Sequence, residues 1–214
     1  MRSVVIVVDT QADFLLPKGA LAVAGADALV EPMAAWLGNL RPEVTSGVLF
    51  TFDTHYADTY PLSAEALEFP IHCVRETPGW RNLLTPASVD AAIPVYRMEK
   101  GVFAMWAEDG LRIENARDPA APTVDRDTWF AQLRHDGIAH AYVIGVAADY
   151  CVRWAIDGLV ARGFAVTVPP TLTRGIARQI DQVIAEDFRG ASIVKGSNTT
   201  PTEHERAVVT LDGD

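Results

Sequence analysis

The sequence predicts an α/β protein in three layers, with a six-stranded parallel sheet enclosed between helices. The main observation behind it is an alternation of short apolar runs rich in β-branched residues with longer amphipathic stretches, the pattern of βαβ units around a parallel sheet. A second is size: 214 residues, 49% of them hydrophobic, suffice to bury a large core and lie within the range of one domain spanning 1–214. A third is that reactive side-chain types recur just after four of the apolar runs, where a parallel sheet gathers its ligands.

In chain order, the apolar runs predict strands over 3–8, 46–52, 94–98, 140–146, 164–168 and 191–194. Helical spacing predicts helices near 26–39, 126–136, 149–162 and 175–187, the second after an Asp-, Pro- and Ala-rich loop over 116–124. The third helix shows Val152, Ala155, Ile156 and Leu159 at the spacing of one buried stripe. There is no internal repeat and no linker-like segment.

Composition narrows the function classes. The longest apolar runs, 4–8 and 141–148, fall far short of the roughly 20 residues that cross a bilayer, so no membrane span is expected. Met1, Arg2 and Ser3 lead straight into the first strand without a hydrophobic leader, which predicts a cytoplasmic protein. A formal net charge of −10 without a basic cluster argues against nucleic acid and favours a small-molecule partner. The two cysteines, Cys73 and Cys151, read as free thiols.

Strand ends select the chemistry. The first delivers Asp9, Gln11 and Asp13, the second Asp53 and His55, the third Glu99 and Lys100, and the fourth runs through Gly145-Val146-Ala147-Ala148-Asp149-Tyr150 into Cys151. Cys151 falls in the first turn of its helix, where free N–H groups and the helix dipole favour a thiolate; an arbitrary cysteine is more often a packed core residue. A nucleophilic cysteine needs a proton acceptor and a counter-charge, and Asp9 and Lys100 are the ionisable groups the sheet brings near it. Singly, Asp9 reads as a cap and Lys100 as a surface lysine; together at strand ends they read as a site. Asp53, His55 and His72 are metal-ligand types, and Glu65 or Glu68 offers a further oxygen.

These residues resemble the isochorismatase-like cysteine hydrolases, and within them the nicotinamidase/pyrazinamidase branch. The resemblance covers nearly the whole chain and rests on Val7-Val8-Asp9-Thr10-Gln11-Ala12-Asp13-Phe14, Gly19-Ala20-Leu21-Ala22-Val23, Asp53-Thr54-His55, Phe69-Pro70-Ile71-His72-Cys73, Glu99-Lys100 and Gly145-Val146-Ala147-Ala148-Asp149-Tyr150-Cys151-Val152. It implies that Asp9, Lys100 and Cys151 are the catalytic residues of an amide hydrolase working through an acyl-thioester. It also implies a cis peptide between Val146 and Ala147, with the Ala147 and Cys151 N–H groups forming an oxyanion hole. The branch binds one divalent metal, which here would take Asp53, His55 and His72, with Glu65 matching a further ligand seven residues before the last histidine. Zinc is the first expectation for that ion, with iron or manganese as alternatives.

Two departures bear on the substrate. Glu76 stands where the family commonly has glycine, and Gly101-Val102-Phe103-Ala104-Met105-Trp106 differs from the usual segment after the lysine. Phe14, Phe103, Trp106 and Tyr150 are candidate ring contacts, each of which can equally be a core aromatic. The expected reaction is nicotinamide hydrolysis to nicotinate and ammonia by a homo-oligomer. The rivals are another small-amide or carbamoyl hydrolase, an isochorismatase, and a noncatalytic module on the same scaffold.

Overall fold

The computed structural model describes residues 2–196 together with 200 and 201. In chain order the elements are β1 (Ser3–Val8), α1 (Ala12–Leu15), α2 (Val30–Gly38), β2 (Thr45–Asp53), β3 (Val95–Lys100), β4 (Arg112–Asn115), β5 (Val124–Asp125), α3 (Arg126–His135), β6 (His140–Val146), α4 (Cys151–Ala161), β7 (Ala165–Val168), β8 (Thr173–Arg174), α5 (Ile180–Asp187) and β9 (Ile193–Lys195). Short 3₁₀ turns lie at Asp27–Leu29, Tyr60–Leu62, Glu65–Leu67, Pro86–Ser88 and Pro170–Leu172.

The strand order is β5-β4-β3-β2-β1-β6-β7-β9, with β8 pairing β6. The six strands from β3 to β9 are mutually parallel and coincide with the six that the apolar runs predict. The sheet is nonetheless larger than six. β4 and β5 extend one edge antiparallel, and β8 adds a two-residue parallel bridge beside the end of β6. These additions are two to four residues long, too short to set up a legible hydrophobic period.

Central β1 shows why the protein has three layers. Its side chains alternate between faces, and all are essentially unexposed. Val4, Ile6 and Val8 pack with the stripes of α3, α4 and α5; Val5 and Val7 pack with α1 and α2 on the other face. Each such side chain is worth about 1.5–3 kcal/mol on burial, so a strand buried on both faces has no place but the centre. Among the described residues, no helix is long and apolar enough to cross a membrane.

Three departures from the predicted elements have local causes. The turn α1 has only four residues, below what periodicity can reveal. α4 begins at Cys151 rather than 149, because Asp149 turns away from the helix. Its carboxylate accepts the N–H groups of Ile176 (2.9 Å), Ala177 (2.7 Å) and Arg178 (2.8 Å). That captures 176–178 as a loop, and α5 therefore starts at Ile180 rather than 175. Glu76, the residue at the family's glycine position, has φ +67°, a left-handed conformation that explains why glycine is suited there.

The end of α5 is clamped to α4 through Asp187, which pairs with Arg153 (2.5 Å) and with both arms of Arg178 (2.9 Å each). The hydrogen bonds from Arg178 and then Arg153 hold the Asp187 carboxyl at about 2, below its ordinary 3.8. A carboxyl depressed on folding stabilises the fold above its unfolded pKa and loses that contribution as pH falls through the folded value. Asp187→Asn should accordingly lower the melting temperature by a fixed amount at neutral pH. The gap should close between pH about 4 and about 2, as read by calorimetry across that window. A gap independent of pH would show that the clamp does not depend on charge.

Candidate active site and metal centre

The parallel register brings the predicted residues together at one end of the sheet. β1 ends at Val8 and delivers Asp9, and β2 pairs with β3 so that Asp53 lies opposite Lys100. β6 ends beside β1 in the turn that leads to Cys151. The close approach requires Gly145, at φ +112°, where any Cβ would sit 2.0 Å from the Val8 carbonyl oxygen.

Lys100 is the hub. Its Nζ lies 2.9 Å from Asp9 Oδ2, 3.1 Å from Asp53 Oδ1 and 3.6 Å from Cys151 Sγ. All four residues are at most 6% exposed. Burial opposes charge on Lys100, yet the Asp53 and Asp9 carboxylates outweigh it and hold the ammonium well above its ordinary range. Asp9 is fixed from the other side by Thr51, whose hydroxyl donates to Oδ1 (2.5 Å). The Asp9–Lys100 contact is an ion pair rather than an aligned hydrogen bond, since among the described residues Oδ2 has no donor in hydrogen-bond geometry. Asp9 also has a positive φ of +47°, a conformation uncommon for a residue with a side chain.

Cys151 departs from the sequence expectation of a thiolate stabilised by its helix. Burial pushes the thiol up, Lys100 pulls it down, and Asp9 and Asp53 push it up again, leaving it well above its ordinary value. The resting nucleophile is thus a thiol with a carboxylate acceptor beside it. The Val146–Ala147 peptide is cis. In the turn that follows, Ala148, Tyr150 and Val152 donate to backbone carbonyls.

Asp53 also faces a second group. Its Oδ2 lies 3.1 Å from His55 Nε2 and 3.0 Å from His72 Nε2, and Glu65 Oε2 lies 3.1 Å from His55 Nε2. One donor atom from each of Asp53, His55, Glu65 and His72 falls within 4.8 Å of the others, and all four residues are buried. Two observations test whether this group suits a metal. Among the described residues, neither buried Glu65 oxygen accepts an aligned hydrogen bond, His55 standing near one of them only as a charge contact, a costly arrangement unless a cation takes that place. With both histidines neutral, as metal ligands must be, Asp9, Asp53 and Glu65 stand against Lys100, and a divalent ion cancels the two remaining negative charges. The histidines agree: His72 Nδ1 is bonded to the Pro70 carbonyl (2.8 Å), which leaves Nε2 as the ligand atom. Burial disfavours charge on His55, but the Asp53 and Glu65 carboxylates beside it push its pKa up to about 9, so a metal would displace a proton there. Imidazole and carboxylate donors suit zinc, iron or manganese.

Surrounding residues hold these side chains. Gln11 brackets Asp53, accepting from its N–H (2.8 Å) and donating to its carbonyl (2.8 Å). Asp13 accepts the N–H groups of Cys73 (2.7 Å) and Ala20 (3.0 Å), tying the His72 segment to α1. Cys73 is fully buried in the packing behind the site, at φ +44°.

The four candidate ring contacts divide. Phe14 stacks obliquely on His72 at 5.3 Å. Phe103 and Tyr150 form a cluster with Phe69, with centroids 5.2–5.7 Å apart. Trp106 must be reassigned. Its indole N–H donates to the Trp154 carbonyl (2.9 Å), its ring packs on Phe130, and it fills the space left by Gly158, two turns along α4 from Cys151. It is core packing on the flank of α4 and has no place at the ring site. Glu68 likewise stays outside the metal group, its charge lying beside Tyr150, so Glu65 is the acidic residue that joins it. Thr51, Tyr60 and Phe69 were not legible as site residues. Thr51 lies two residues before Asp53 and so on the same face of β2, which is the one signal that pointed to it.

Glu65→Gln and His72→Ala should each weaken metal retention at least about tenfold, since changes merely behind a ligand already cost that much. Elemental analysis after dialysis against a weak chelator reads it. Metal content equal to wild type in either variant would remove that residue from the ligand set.

Comparison with models of known protein families finds no match. Among curated proteins, the nicotinamidase/pyrazinamidase of Mycobacterium tuberculosis is 30% identical over 199 residues, covering 90% of this chain and 97% of its own. Among solved structures, the pyrazinamidase of Pyrococcus horikoshii in complex with zinc matches at TM-score 0.66 and 24% identity, covering 92% of this chain and all of that one. The L. infantum protein PnC1 in complex with nicotinate matches at TM-score 0.63 and 24% identity, over 86% and 85% of the two chains. The structural matches show a shared fold, and the first relative, matched across both chains, fixes the kinship: this chain belongs to the nicotinamidase/pyrazinamidase family.

Proposed function

We propose that the chain hydrolyses nicotinamide to nicotinate and ammonia, with Asp9, Lys100 and Cys151 as the catalytic residues and the Asp53, His55, Glu65 and His72 group holding one divalent ion, zinc ahead of iron or manganese. The observation that carries this reading is that both groups share one carboxylate, with Asp53 facing Lys100 through Oδ1 and the histidines through Oδ2. The 30% identical relative, named for this activity, supports it.

Asp9 accepts the Cys151 proton as sulfur attacks the carboxamide carbon, and Lys100 steadies the negative charge as it passes from Asp9 to sulfur on its way to the carbonyl oxygen. The Ala147 and Cys151 N–H groups receive the oxyanion. Asp9 next gives its proton to the departing ammonia, leaving an acyl-thioester. Water, deprotonated by Asp9, resolves the thioester to the acid and the free thiol. Asp53, His55, Glu65 and His72 would hold the ion, which when bound would supply a Lewis-acid contact for the ring nitrogen, while Phe14 and the Phe69, Phe103 and Tyr150 cluster bound the ring. We further propose that 1–214 acts as a single domain, in the cytoplasm, as a homo-oligomer. Ammonia release measured with nicotinamide, pyrazinamide, a carbamoyl amide and aliphatic amides tests the substrate class. Turnover confined to aliphatic or carbamoyl amides would overturn the nicotinamide assignment.

Cys151→Ala should reduce turnover by at least roughly 10⁴-fold with the fold retained, because it removes the nucleophile and little else. Cys73→Ala should keep most activity, since that thiol lies in the packing behind the site. Equal losses in the two variants would sink the assignment of Cys151. Lys100 pulls the Cys151 pKa down, against burial and the Asp9 and Asp53 carboxylates. Lys100→Met in a Cys73→Ala background should therefore shift iodoacetamide alkylation of Cys151 to higher pH. An unshifted alkylation profile would place Lys100 outside the catalytic group.

A further inference from the structure

The β1–β2 ladder stops at the pair Val7 and Phe50, so Asp9 lies beyond backbone pairing with β2. A side chain takes over there. The Thr51 hydroxyl accepts the Asp9 N–H (3.2 Å) and donates to Asp9 Oδ1 (2.5 Å), gripping the residue by backbone and side chain together. Both residues are fully buried. The grip matters because Asp9 has φ +47°, a conformation that a residue with a side chain keeps only where its surroundings hold it. A hydroxyl has one proton to give. With the Asp9 N–H on one of its lone pairs, that proton goes to the carboxylate, at the length of a charge-assisted O–H···O⁻ bond. Threonine suits the task, since branching at Cβ restricts χ1 and fixes where the hydroxyl points.

The two Asp9 oxygens are thereby made unequal. Oδ1 is committed to Thr51. Oδ2 is buried, and among the described residues no donor reaches it in hydrogen-bond geometry. Its neighbour is Lys100 Nζ, a charge contact at 2.9 Å, and that ammonium stands 3.6 Å from Cys151 Sγ. Oδ2 therefore keeps a lone pair open on the side of the carboxylate that faces the lysine bridging to sulfur. We propose that Thr51 is a positioning residue for the catalytic base, committing Oδ1 so that Oδ2 exchanges the proton. The role rests on the amide hydrolysis proposed above. As the sulfur electron pair attacks the carboxamide carbon, the S–H bond breaks and an O–H bond forms at Oδ2. As the C–N bond breaks, the same proton passes from Oδ2 to nitrogen and ammonia departs. Without the hydroxyl the carboxylate loses its fixed orientation, and a displacement of about 1 Å at a reacting group can cost on the order of 10²-fold in rate.

Steady-state kinetics of the full, metal-loaded chain tests the role, on whichever amide the wild type hydrolyses in the substrate panel. Thr51→Val keeps the shape and removes the hydroxyl. Its kcat should fall roughly 10- to 100-fold while KM stays within about threefold of wild type, because the hydroxyl meets Asp9 and not the substrate ring. Thr51→Ser keeps the hydroxyl and loses a methyl, and its kcat should stay within about threefold of wild type. Elemental analysis should find wild-type metal content in both, since Asp53 is still delivered by β2. An unchanged kcat in Thr51→Val, or an equal loss in Thr51→Ser, would overturn the role. So would a loss that follows metal content, which would place the effect at Asp53 instead. If Thr51→Val does not fold, Thr51→Ala and Thr51→Ser make the same comparison, since those two differ in the hydroxyl alone. Wild-type turnover of another amide in place of nicotinamide would overturn the substrate assignment and leave the Thr51 comparison standing. No turnover of any amide would overturn both.

Discussion

The site depends on one buried ammonium shared by two carboxylates. Asp9 and Asp53 are wholly buried on adjacent strand ends, and neither is tolerable there as an isolated anion. Lys100 reaches both and is itself 2% exposed, so each of the three charges is acceptable only because of the others. Removing one member of such a group costs about 3–5 kcal/mol, because it strands what remains. Asp53 then extends the dependence, since its second oxygen orders His55 and His72. The catalytic group and the metal-ligand group are one electrostatic unit meeting at a single carboxylate.

The parallel sheet is what allows that unit to form. Charged groups brought this close must come from elements whose spacing is fixed by something other than their own attraction. The β1, β2, β3 and β6 ladders do this, holding strand ends side by side through backbone hydrogen bonds and buried aliphatic side chains. The loop carrying His72 has no such ladder. It is held by side chains instead, with Asp13 on the Cys73 N–H and Gln11 on both sides of the Asp53 backbone. Gly79 is required for the same reason: a Cβ there would stand 2.2 Å from the Asp13 carboxylate.

The legible parts of the sequence were those with a period or a strand-end position. The six core strands and the α4 stripe follow from runs of Val, Ile, Ala and Leu, and Asp9, Lys100 and Cys151 follow from where those runs stop. What could not be read depends on partners distant in sequence. Phe103 and Trp106 lie three residues apart on one irregular segment, yet Phe103 faces Phe69 and Tyr150 while Trp106 packs against Phe130 and Gly158. No local pattern separates them, since the choice is made by which helix the segment crosses. The late start of α5 has the same origin, because residues 176–178 are captured by Asp149, 27 to 29 residues earlier.

The same distant partners decide the state of Cys151. A place in the first helical turn favours a thiolate by about 0.3–1 kcal/mol at exposed sites and up to ~2 kcal/mol when partly buried. Complete enclosure and two neighbouring carboxylates act the other way and prevail, although Lys100 stands 3.6 Å from the sulfur. The position of a cysteine on a helix is therefore the weaker predictor of its reactivity here. A proton acceptor within reach matters more, because a thiol that stays protonated at rest becomes a nucleophile only when a base removes its proton in step with attack. Asp9, paired with Lys100 and braced by Thr51, is the group placed to do so. A divalent ion held by Asp53 and its partners would shift the balance further, since charge drawn from Asp53 weakens its push on the sulfur. Metal-ligand set and nucleophile are then linked through Asp53 and Lys100, without a direct contact between them.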